Sequence, residues 1–292
     1  MNTEHHIILS DGRKLAYAEF GQRDGHPVFY FHGSPSSRLE PLLIGDEAWN
    51  RLGLRIIAPD RPGIGGSDFQ SNRGFSHWPK DVAELADALG LENFAVLGNS
   101  GGGAYVAVCA AKIPERITAA VIVSGGWQMN LREAKDNMPF VNRLFLILAH
   151  RAPPLSRLML KAMGGASVND REKELAKLKA RVPAADYAAF AEPGRIEALH
   201  EMMRECIRGG TKGPAWDLRV YMREFDFKLS EIRMPLTLFH GEQDVNAPIA
   251  LVRRMMAELP TARLITYEHD AHFSTLCNHL DEFTAALVGG SN

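Results

Sequence analysis

The sequence predicts an α/β protein with a mostly parallel, eight-stranded sheet, helices on both faces and an inserted helical cap. Three observations support this prediction: a hairpin signal near the start, short apolar runs that alternate with helical segments, and a long stretch where the alternation stops. Short continuous apolar runs are typical of strands that are buried on both faces, as in a parallel sheet. Strand–helix alternation favours right-handed crossovers and a doubly wound sheet.

The first two strands are predicted at residues 6–9 and 14–20, on either side of Asp11-Gly12. Asp-Gly favours a tight hairpin turn, so we expect this pair to be antiparallel. The remaining six strands are predicted at residues 28–31, 55–58, 94–97, 119–123, 236–239 and 263–267. Helices are predicted at residues 78–89, 101–111, 249–259 and 275–288.

Between the sixth and seventh strands the chain loses its strand signals. Residues 128–230 are rich in Ala, Leu, Met, Lys, Arg and Glu, and several Pro and Gly pairs interrupt them, so they are predicted to form short helices. We expect residues 1–127 and 231–292 to form the core domain and residues 128–230 to form the cap. An insertion at this point would cover the carboxyl ends of the strands, where open α/β sheets bind ligands.

Composition excludes several classes of function. The 292 residues carry 33 basic and 35 acidic side chains, a net charge of −2, without a basic stripe that would indicate a nucleic-acid partner. The chain shows neither a secretory signal nor an apolar run that could span a bilayer, so a cytoplasmic protein is expected. Cys109, Cys206 and Cys277 are too few and too widely spaced for a disulfide framework or a zinc site. We expect no cofactor, no metal and a small-molecule substrate, and the oligomeric state stays open.

The most informative motif is Gly98-Asn99-Ser100-Gly101-Gly102, which follows a predicted strand and opens a predicted helix. A sharp strand–turn–helix requires residues without bulk two before and two after the serine, and it presents the serine hydroxyl at the top of the sheet. A glycine-rich turn in which the serine only caps the helix is the alternative. The context favours Ser100 as a nucleophile.

A serine nucleophile needs a histidine base that a carboxylate orients. His272 follows the last predicted strand, with His269 as its nearest rival, and Asp244 follows the seventh strand, with Glu242 as the runner-up. Alone, Asp244 is more often a helix cap. Along the chain the candidate nucleophile, acid and base come in the order Ser100, Asp244, His272. This is the order in which these three groups occur in hydrolases built on an α/β sheet.

Acyl hydrolysis also needs two backbone donors for the developing oxyanion. One is expected to be the amide of Gly101, directly after the nucleophile. The other is expected to be the amide of Ser34, in the loop His32-Gly33-Ser34-Pro35 after the third strand. An ordinary Gly-Ser-Pro turn is the alternative for that loop.

These motifs together resemble the ordered signature of the α/β-hydrolase superfamily. The resemblance rests on His32-Gly33-Ser34-Pro35, Asp60-Arg61-Pro62-Gly63-Ile64-Gly65-Gly66-Ser67, Gly98-Asn99-Ser100-Gly101-Gly102, Gly241-Glu242-Gln243-Asp244 and Ala271-His272-Phe273, and it covers nearly the whole chain except the cap. It implies that the turn beginning at Asp60 shapes the oxyanion loop. Ala271 departs from the family, which usually has glycine before the histidine, and a methyl group there is tolerated if the backbone is not left-handed.

The resemblance also limits the classes of reaction that we expect this chain to catalyse. Epoxide hydrolases and haloalkane dehalogenases of the family carry aspartate where this chain has Ser100, and proline iminopeptidases differ at Ser34 and Gly101. We therefore expect a serine hydrolase that cleaves a small-molecule ester, thioester or lactone. Carbon–carbon bond hydrolysis of a β-diketone type, or a low-turnover ligand-binding or signalling role, are the alternatives. Candidates for an apolar pocket lining, most of them expected to pack the cap on the sheet instead, are Trp127, Met129, Phe140, Phe145, Trp216, Tyr221 and Phe225.

Overall fold

A computed structural model describes residues 1–136, 138–165 and 171–289 of the chain. The predicted eight-stranded sheet is confirmed. Its strands are β1 (Asn2–Ile8), β2 (Lys14–Gly21), β3 (His26–Phe31), β4 (Leu54–Pro59), β5 (Phe94–Asn99), β6 (Ile117–Val123), β7 (Leu236–Gly241) and β8 (Ala262–Tyr267).

The strand order is β1-β2-β4-β3-β5-β6-β7-β8. β1 pairs antiparallel with β2 across the predicted turn, so that Ile8 lies opposite Lys14, and β2 pairs antiparallel with β4. All other neighbours are parallel. The carboxyl ends of β3, β5, β6, β7 and β8 therefore meet at one edge of the sheet, where each is followed by a loop.

Helices cover both faces of the sheet because the central strands bury side chains on both sides. In β3, Phe29 and Phe31 pack with α2 and α3, whereas Val28 and Tyr30 pack on the opposite face with α1. All four side chains are fully buried. The core helices are α1 (Asp46–Arg51), α2 (Trp78–Ala88), α3 (Gly102–Lys112), α11 (Ile249–Met256), α12 (His272–Asn278) and α13 (Leu280–Val288).

Helices also fill the interval between β6 and β7, in agreement with the predicted insertion. They are α4 (Arg132–Asp136), α5 (Phe140–Arg151), α6 (Pro153–Gly164), α7 (Arg171–Lys179), α8 (Ala184–Ala191), α9 (Arg195–Cys206) and α10 (Lys212–Tyr221). No helix within the described ranges is long and apolar enough to cross a membrane. The boundaries of the cap at residues 128 and 230 stay a prediction.

The single terminal helix predicted at residues 275–288 was wrong, because the structure has two helices that meet at His279. The backbone of His279 is not helical, at φ −122° and ψ 31°. Its ring stacks on Tyr267, with 3.5 Å between ring centroids, and its Nε2 lies 2.7 Å from Asp270 Oδ2. These contacts with the end of β8 outweigh the local preference for a continuous helix.

Candidate active site

Ser100 lies in the turn between β5 and α3, at the carboxyl edge of the sheet. Its φ of +52° falls in the left-handed region, which is uncommon for a residue with a side chain and is found at functional turns. Hydrogen bonds hold this strained backbone on both sides: the Ser100 amide donates to the Val123 carbonyl at 2.9 Å, and the Gly126 amide donates to the Ser100 carbonyl at 2.7 Å. The end of β6 and the loop after it therefore fix the turn.

The flanking glycines are required by close backbone approach, as the motif predicts. A Cβ atom on Gly98 would lie 2.5 Å from the Gly102 carbonyl oxygen. A Cβ atom on Gly102 would overlap the carbonyl oxygen of Phe31 at the end of β3. The sequence folds into a sharp turn here because only glycine fits at both positions.

His272 and Asp244 meet at the same edge, after β8 and β7. His272 Nδ1 lies 2.7 Å from Asp244 Oδ2, and both side chains are buried. The other oxygen of Asp244 accepts hydrogen bonds from the amides of Asn246 and Ala247, each at 2.8 Å. Asp244 thus caps a local turn and binds the imidazole at the same time.

The electrostatics of this pair favour a charged imidazole beside a carboxylate. Burial alone would lower the pKa of His272, but the neighbouring Asp244 carboxylate outweighs it and raises that pKa above its ordinary value. Burial likewise opposes the charge on Asp244, yet His272 holds the pKa of Asp244 below its usual value. A histidine held in this way is suited to accept a proton.

Ser100 and His272 both line one cavity, although the hydrogen bonds of the described residues do not include one between their side chains. Ser100 Oγ would reach the imidazole through Nε2, since Nδ1 is occupied by Asp244. Catalytic hydrogen bonds of this kind often tighten only when substrate binds.

The rivals that the sequence left open lie elsewhere. His269 is exposed, and exposed Glu242 lies 3.2 Å from Arg253 on the surface. His240 is buried, with its Nε2 2.8 Å from the Ala247 carbonyl and 3.5 Å from Asp244 Oδ2. The structure therefore brings Asp244 to His272 and neither His269 nor Glu242 to the pair.

Ser34 and Gly101, whose amides are the predicted oxyanion donors, lie close together. A Cβ atom on Gly101 would be 3.1 Å from Ser34 Cβ, and one on Gly33 would be 3.2 Å from Ser100 Cβ. In the part of the chain that the structure describes, neither the Ser34 amide nor the Gly101 amide donates a hydrogen bond. The loop after β3 therefore contacts the nucleophile turn, with two amides available beside it.

Arg61 holds the loop after β3 in place. This fully buried side chain donates to the carbonyls of His32 and Gly33, at 2.5 and 2.6 Å. The contact agrees with the role that the resemblance implies for the turn after β4. Burial would lower the pKa of Arg61, but Asp217 outweighs it and the guanidinium stays charged.

The carboxylate of Asp217, on α10, accepts hydrogen bonds from four side chains. The sequence alone did not identify this residue. Its carboxylate accepts hydrogen bonds from Arg61 and Arg73, each at 2.8 Å, from Tyr105 Oη at 2.7 Å and from Ser34 Oγ at 2.8 Å. Burial opposes the charge, but the two guanidinium groups hold the pKa of Asp217 far below its usual value. One turn later on α10, Tyr221 Oη donates to the Gly101 carbonyl at 2.6 Å.

Glu40 is a second buried carboxylate that the sequence did not single out. It accepts hydrogen bonds from the Gly33 amide, Tyr30 Oη and Asn99 Nδ2, each at 2.8 Å. It thereby joins the loop after β3 to the residue before Ser100. Asp217 and Tyr221 could have been identified from the sequence as a pair on one helix face, since they are four residues apart. No sequence pattern identified Glu40.

The cavity above Ser100 has a volume of about 450 Å³, in the range of small-molecule sites. Of the seven candidate lining residues only Met129 and Phe145 contribute to it; Trp127 and Tyr221 pack in the core, and Phe140 is exposed. The wall is mostly apolar and includes Met129, Met138, Phe145, Leu146, Met163, Leu199, Met202, Met203, Leu218 and Phe273.

Ala271 has φ −122°, outside the left-handed region, so its methyl group is tolerated beside His272. Cys109 is fully buried on α3, where it packs as a small hydrophobic side chain. Among the described residues, no group of His, Cys, Asp or Glu side chains is arranged to hold a metal ion.

Comparison with known proteins agrees with the fold. A family model described as alpha/beta hydrolase fold matches residues 26–277. A non-heme chloroperoxidase of Streptomyces lividans is 37% identical over 279 residues, with 91% of this chain and 92% of that protein covered. A bifunctional esterase/perhydrolase of Acinetobacter calcoaceticus is 24% identical, with 91% of this chain and 92% of that protein covered. A 2-hydroxymuconate semialdehyde hydrolase of Pseudomonas putida is 27% identical, with 91% of this chain and 87% of that protein covered. The solved structure of an esterase from Exiguobacterium antarcticum superposes with a TM-score of 0.67 at 20% identity, over 99% of this chain and 98% of that one.

Proposed function

The chain belongs to the alpha/beta hydrolase family, and on that premise we propose that it cleaves a small-molecule ester, thioester or lactone through an acyl-enzyme on Ser100. One observation carries the proposal. Ser100, in its strained turn, shares a cavity with a buried histidine whose Nδ1 lies 2.7 Å from Asp244. A serine, an oriented base and two adjacent amides are the parts that acyl transfer requires.

In the first step His272 Nε2 takes the proton of Ser100 Oγ as the oxygen attacks the substrate carbonyl. The amides of Ser34 and Gly101 donate to the oxyanion that forms, and such donors are typically worth about 10²–10³-fold each in rate. The tetrahedral intermediate collapses, His272 returns the proton to the leaving alcohol or thiol, and the acyl group stays on Ser100. Asp244 holds the imidazole with Nε2 toward the serine and stabilises its charged form.

In the second step water enters the site. His272 removes its proton as the oxygen attacks the acyl-enzyme carbonyl, and the same two amides stabilise the second oxyanion. Collapse then releases the carboxylic acid and returns the proton to Ser100 Oγ. The apolar cavity wall suits an apolar acyl group, because its burial contributes roughly 25 cal/mol per Å² of surface.

A series of p-nitrophenyl esters with increasing acyl length tests the proposal. We expect hydrolysis that saturates with substrate, and a loss of kcat of about 10³-fold or more in Ser100→Ala. Ser230→Ala, at an exposed serine before β7, is the matched control. Ester hydrolysis that persists in Ser100→Ala, or a wild type that hydrolyses no ester of the series, would contradict the proposal.

Carbon–carbon bond hydrolysis is the second candidate at the same site. It is favoured by the relative whose printed name is 2-hydroxymuconate semialdehyde hydrolase. Turnover of vinylogous diketones without turnover of p-nitrophenyl esters would identify this reaction. Labelling of Ser100 without consumption of either class of substrate would identify a ligand-binding role.

A further inference from the structure

Exposed apolar side chains concentrate on one pair of helices. The α5–α6 hairpin (Phe140–Gly164) carries most of the large apolar side chains that are exposed within the described ranges. They are Phe140, Val141, Leu144, Leu155, Leu158 and Met163, between 36% and 74% exposed. Exposed apolar side chains that concentrate on one helix pair are typical of a site of interaction.

The same hairpin is basic, although the whole chain has a net charge of −2. Residues 139–165 contain no Asp or Glu, and their four cations, Arg143, Arg151, Arg157 and Lys161, are all exposed. Within the described ranges none of the four forms an ion pair, and Arg157 donates to the Thr211 hydroxyl at 3.4 Å. The hairpin therefore presents unpaired positive charge among its apolar side chains.

Further cations face the hairpin from α10 and the segment after it. Burial lowers the pKa of His150, on α5, and the nearby charges of Arg219, Arg223 and Arg151 lower it further. Arg219 of α10 and Arg223 after it therefore lie close to the hairpin. These two cations add positive charge beside the hairpin, which favours an anionic partner.

We propose that the α5–α6 hairpin docks on the surface of an anionic lipid bilayer. Helices that combine exposed apolar side chains with unpaired Lys and Arg lie in the interface of such bilayers, where the apolar groups insert and the cations contact lipid headgroups. A second copy of the chain fits this surface poorly, since self-association would set four unpaired cations against four.

The other side of the hairpin faces the candidate active site. Asn142, Phe145 and Leu146 of α5 and Met163 of α6 line the cavity above Ser100. Met163 is also 44% exposed, so this side chain belongs both to the outer apolar surface and to the cavity wall. Resting on the proposed ester hydrolysis, this arrangement points to an amphiphilic ester that reaches Ser100 from the bilayer.

Cosedimentation of the full chain with vesicles tests docking. We expect binding to vesicles of phosphatidylcholine mixed with phosphatidylglycerol, weakening with salt, and much weaker binding to phosphatidylcholine alone. Each Lys or Arg near an anionic surface is worth about fivefold in binding, so the Arg157→Gln, Lys161→Gln double variant should bind roughly 25-fold more weakly. The Leu155→Ser, Leu158→Ser double variant should also lose binding.

The matched control variants change residues outside the hairpin. Ile8 is 65% exposed, the same exposed fraction as Leu158, and Lys80 is an exposed cation of α2. Ile8→Ser and Lys80→Gln should bind vesicles as the wild type does.

The Leu155→Ser, Leu158→Ser variant should keep its activity on a soluble short-chain ester and lose activity on an ester presented in anionic vesicles.

Three results would overturn docking: no binding to the anionic vesicles, binding unchanged in both hairpin variants, or a dimer in solution that Leu158→Ser dissociates. Ser100→Ala separates docking from the proposed reaction, because it should bind vesicles like the wild type. Vesicle binding without ester hydrolysis in the wild type would contradict the reaction and leave docking intact.

Discussion

Asp217 on α10 accepts a hydrogen bond at 2.8 Å from the hydroxyl of Ser34, whose amide is the proposed oxyanion donor. One helical turn later, Tyr221 donates to the carbonyl of Gly101, the residue of the second proposed donor. Residues four apart lie on the same face of a helix. A single face of α10 therefore contacts both halves of the proposed oxyanion hole.

The contacts of α10 predict a loss of rate without a loss of substrate affinity. Ser34→Ala removes the hydroxyl but keeps the amide, and Tyr221→Phe removes the hydrogen bond to Gly101. Each lost hydrogen bond is worth about 1 kcal/mol, so we expect kcat to fall roughly 5- to 10-fold in each variant with little change in KM.

Steady-state kinetics on one p-nitrophenyl ester would measure this effect. Tyr267→Phe is the matched control, since the Tyr267 hydroxyl donates to Glu282 near the surface. Its kcat should equal that of the wild type. A rise in KM with unchanged kcat in Ser34→Ala and Tyr221→Phe would assign these residues to substrate binding instead.

Asp217 should also contribute to stability. Asp217→Ala leaves Arg61 and Arg73 buried without their common carboxylate, and breaking a buried ion pair costs about 3–5 kcal/mol. Urea denaturation followed by circular dichroism measures the free energy of unfolding. Asp281→Ala, which removes an exposed carboxylate 3.2 Å from Arg51, should cost less than about 1 kcal/mol. Equal losses in both variants would contradict the assigned role of the cluster.

The pair of His272 and Asp244 predicts the pH dependence of activity. A base must be neutral, so kcat/KM should fall as His272 becomes protonated. Since Asp244 raises the pKa of His272, that fall should occur at a higher pH than for an ordinary imidazole. Asp244→Asn should move the acidic limb to lower pH and lower kcat by about 10⁴-fold. Glu242→Gln, at an exposed carboxylate, should leave the profile unchanged, and a shift in that variant would favour the rival acid.

Gly102 should be intolerant of any side chain. A Cβ atom added to Gly102 would overlap the Phe31 carbonyl oxygen, whereas one added to Gly289 would have no neighbouring atom within 4 Å. Gly102→Ala is expected to lose several kcal/mol of stability, or to fail to fold, and Gly289→Ala to behave as the wild type. Thermal unfolding of the two purified variants compares them. A stable Gly102→Ala variant would show that the turn before α3 can open.

The sequence predicted the sheet to a large extent, because strands and turns are encoded locally, and the same local signals selected the residues of the candidate site. Apolar runs marked the central strands, whereas β1 begins at Asn2, four residues before the predicted strand, because polar residues fill its first half. Glycines at fixed spacing marked the turn of Ser100. Chain order then selected Asp244 and His272, which the structure brings to 2.7 Å. Their rivals His269 and Glu242 could be separated from them only by the exposure that the fold imposes.

What the sequence could not predict depends on contacts between distant parts of the chain. Asp217 is 183 residues from Ser34, and its role follows from how α10 packs on the loop after β3. Glu40 likewise gains its role only when the fold places it beside Gly33 and Asn99. The break at His279 arises from its contacts with Tyr267 and Asp270, because nothing in the local sequence forbids a continuous helix.

Reaction with a fluorophosphonate probe decides whether Ser100 is the nucleophile, because the probe phosphonylates an activated serine. Peptide mass spectrometry of the labelled protein should find the phosphonyl group on Ser100. Labelling should be abolished in Ser100→Ala and strongly slowed in a His272→Ala variant, which lacks the proposed base. An unlabelled Ser100 in folded wild-type protein, or a phosphonyl group on another residue, would show that Ser100 is not the nucleophile.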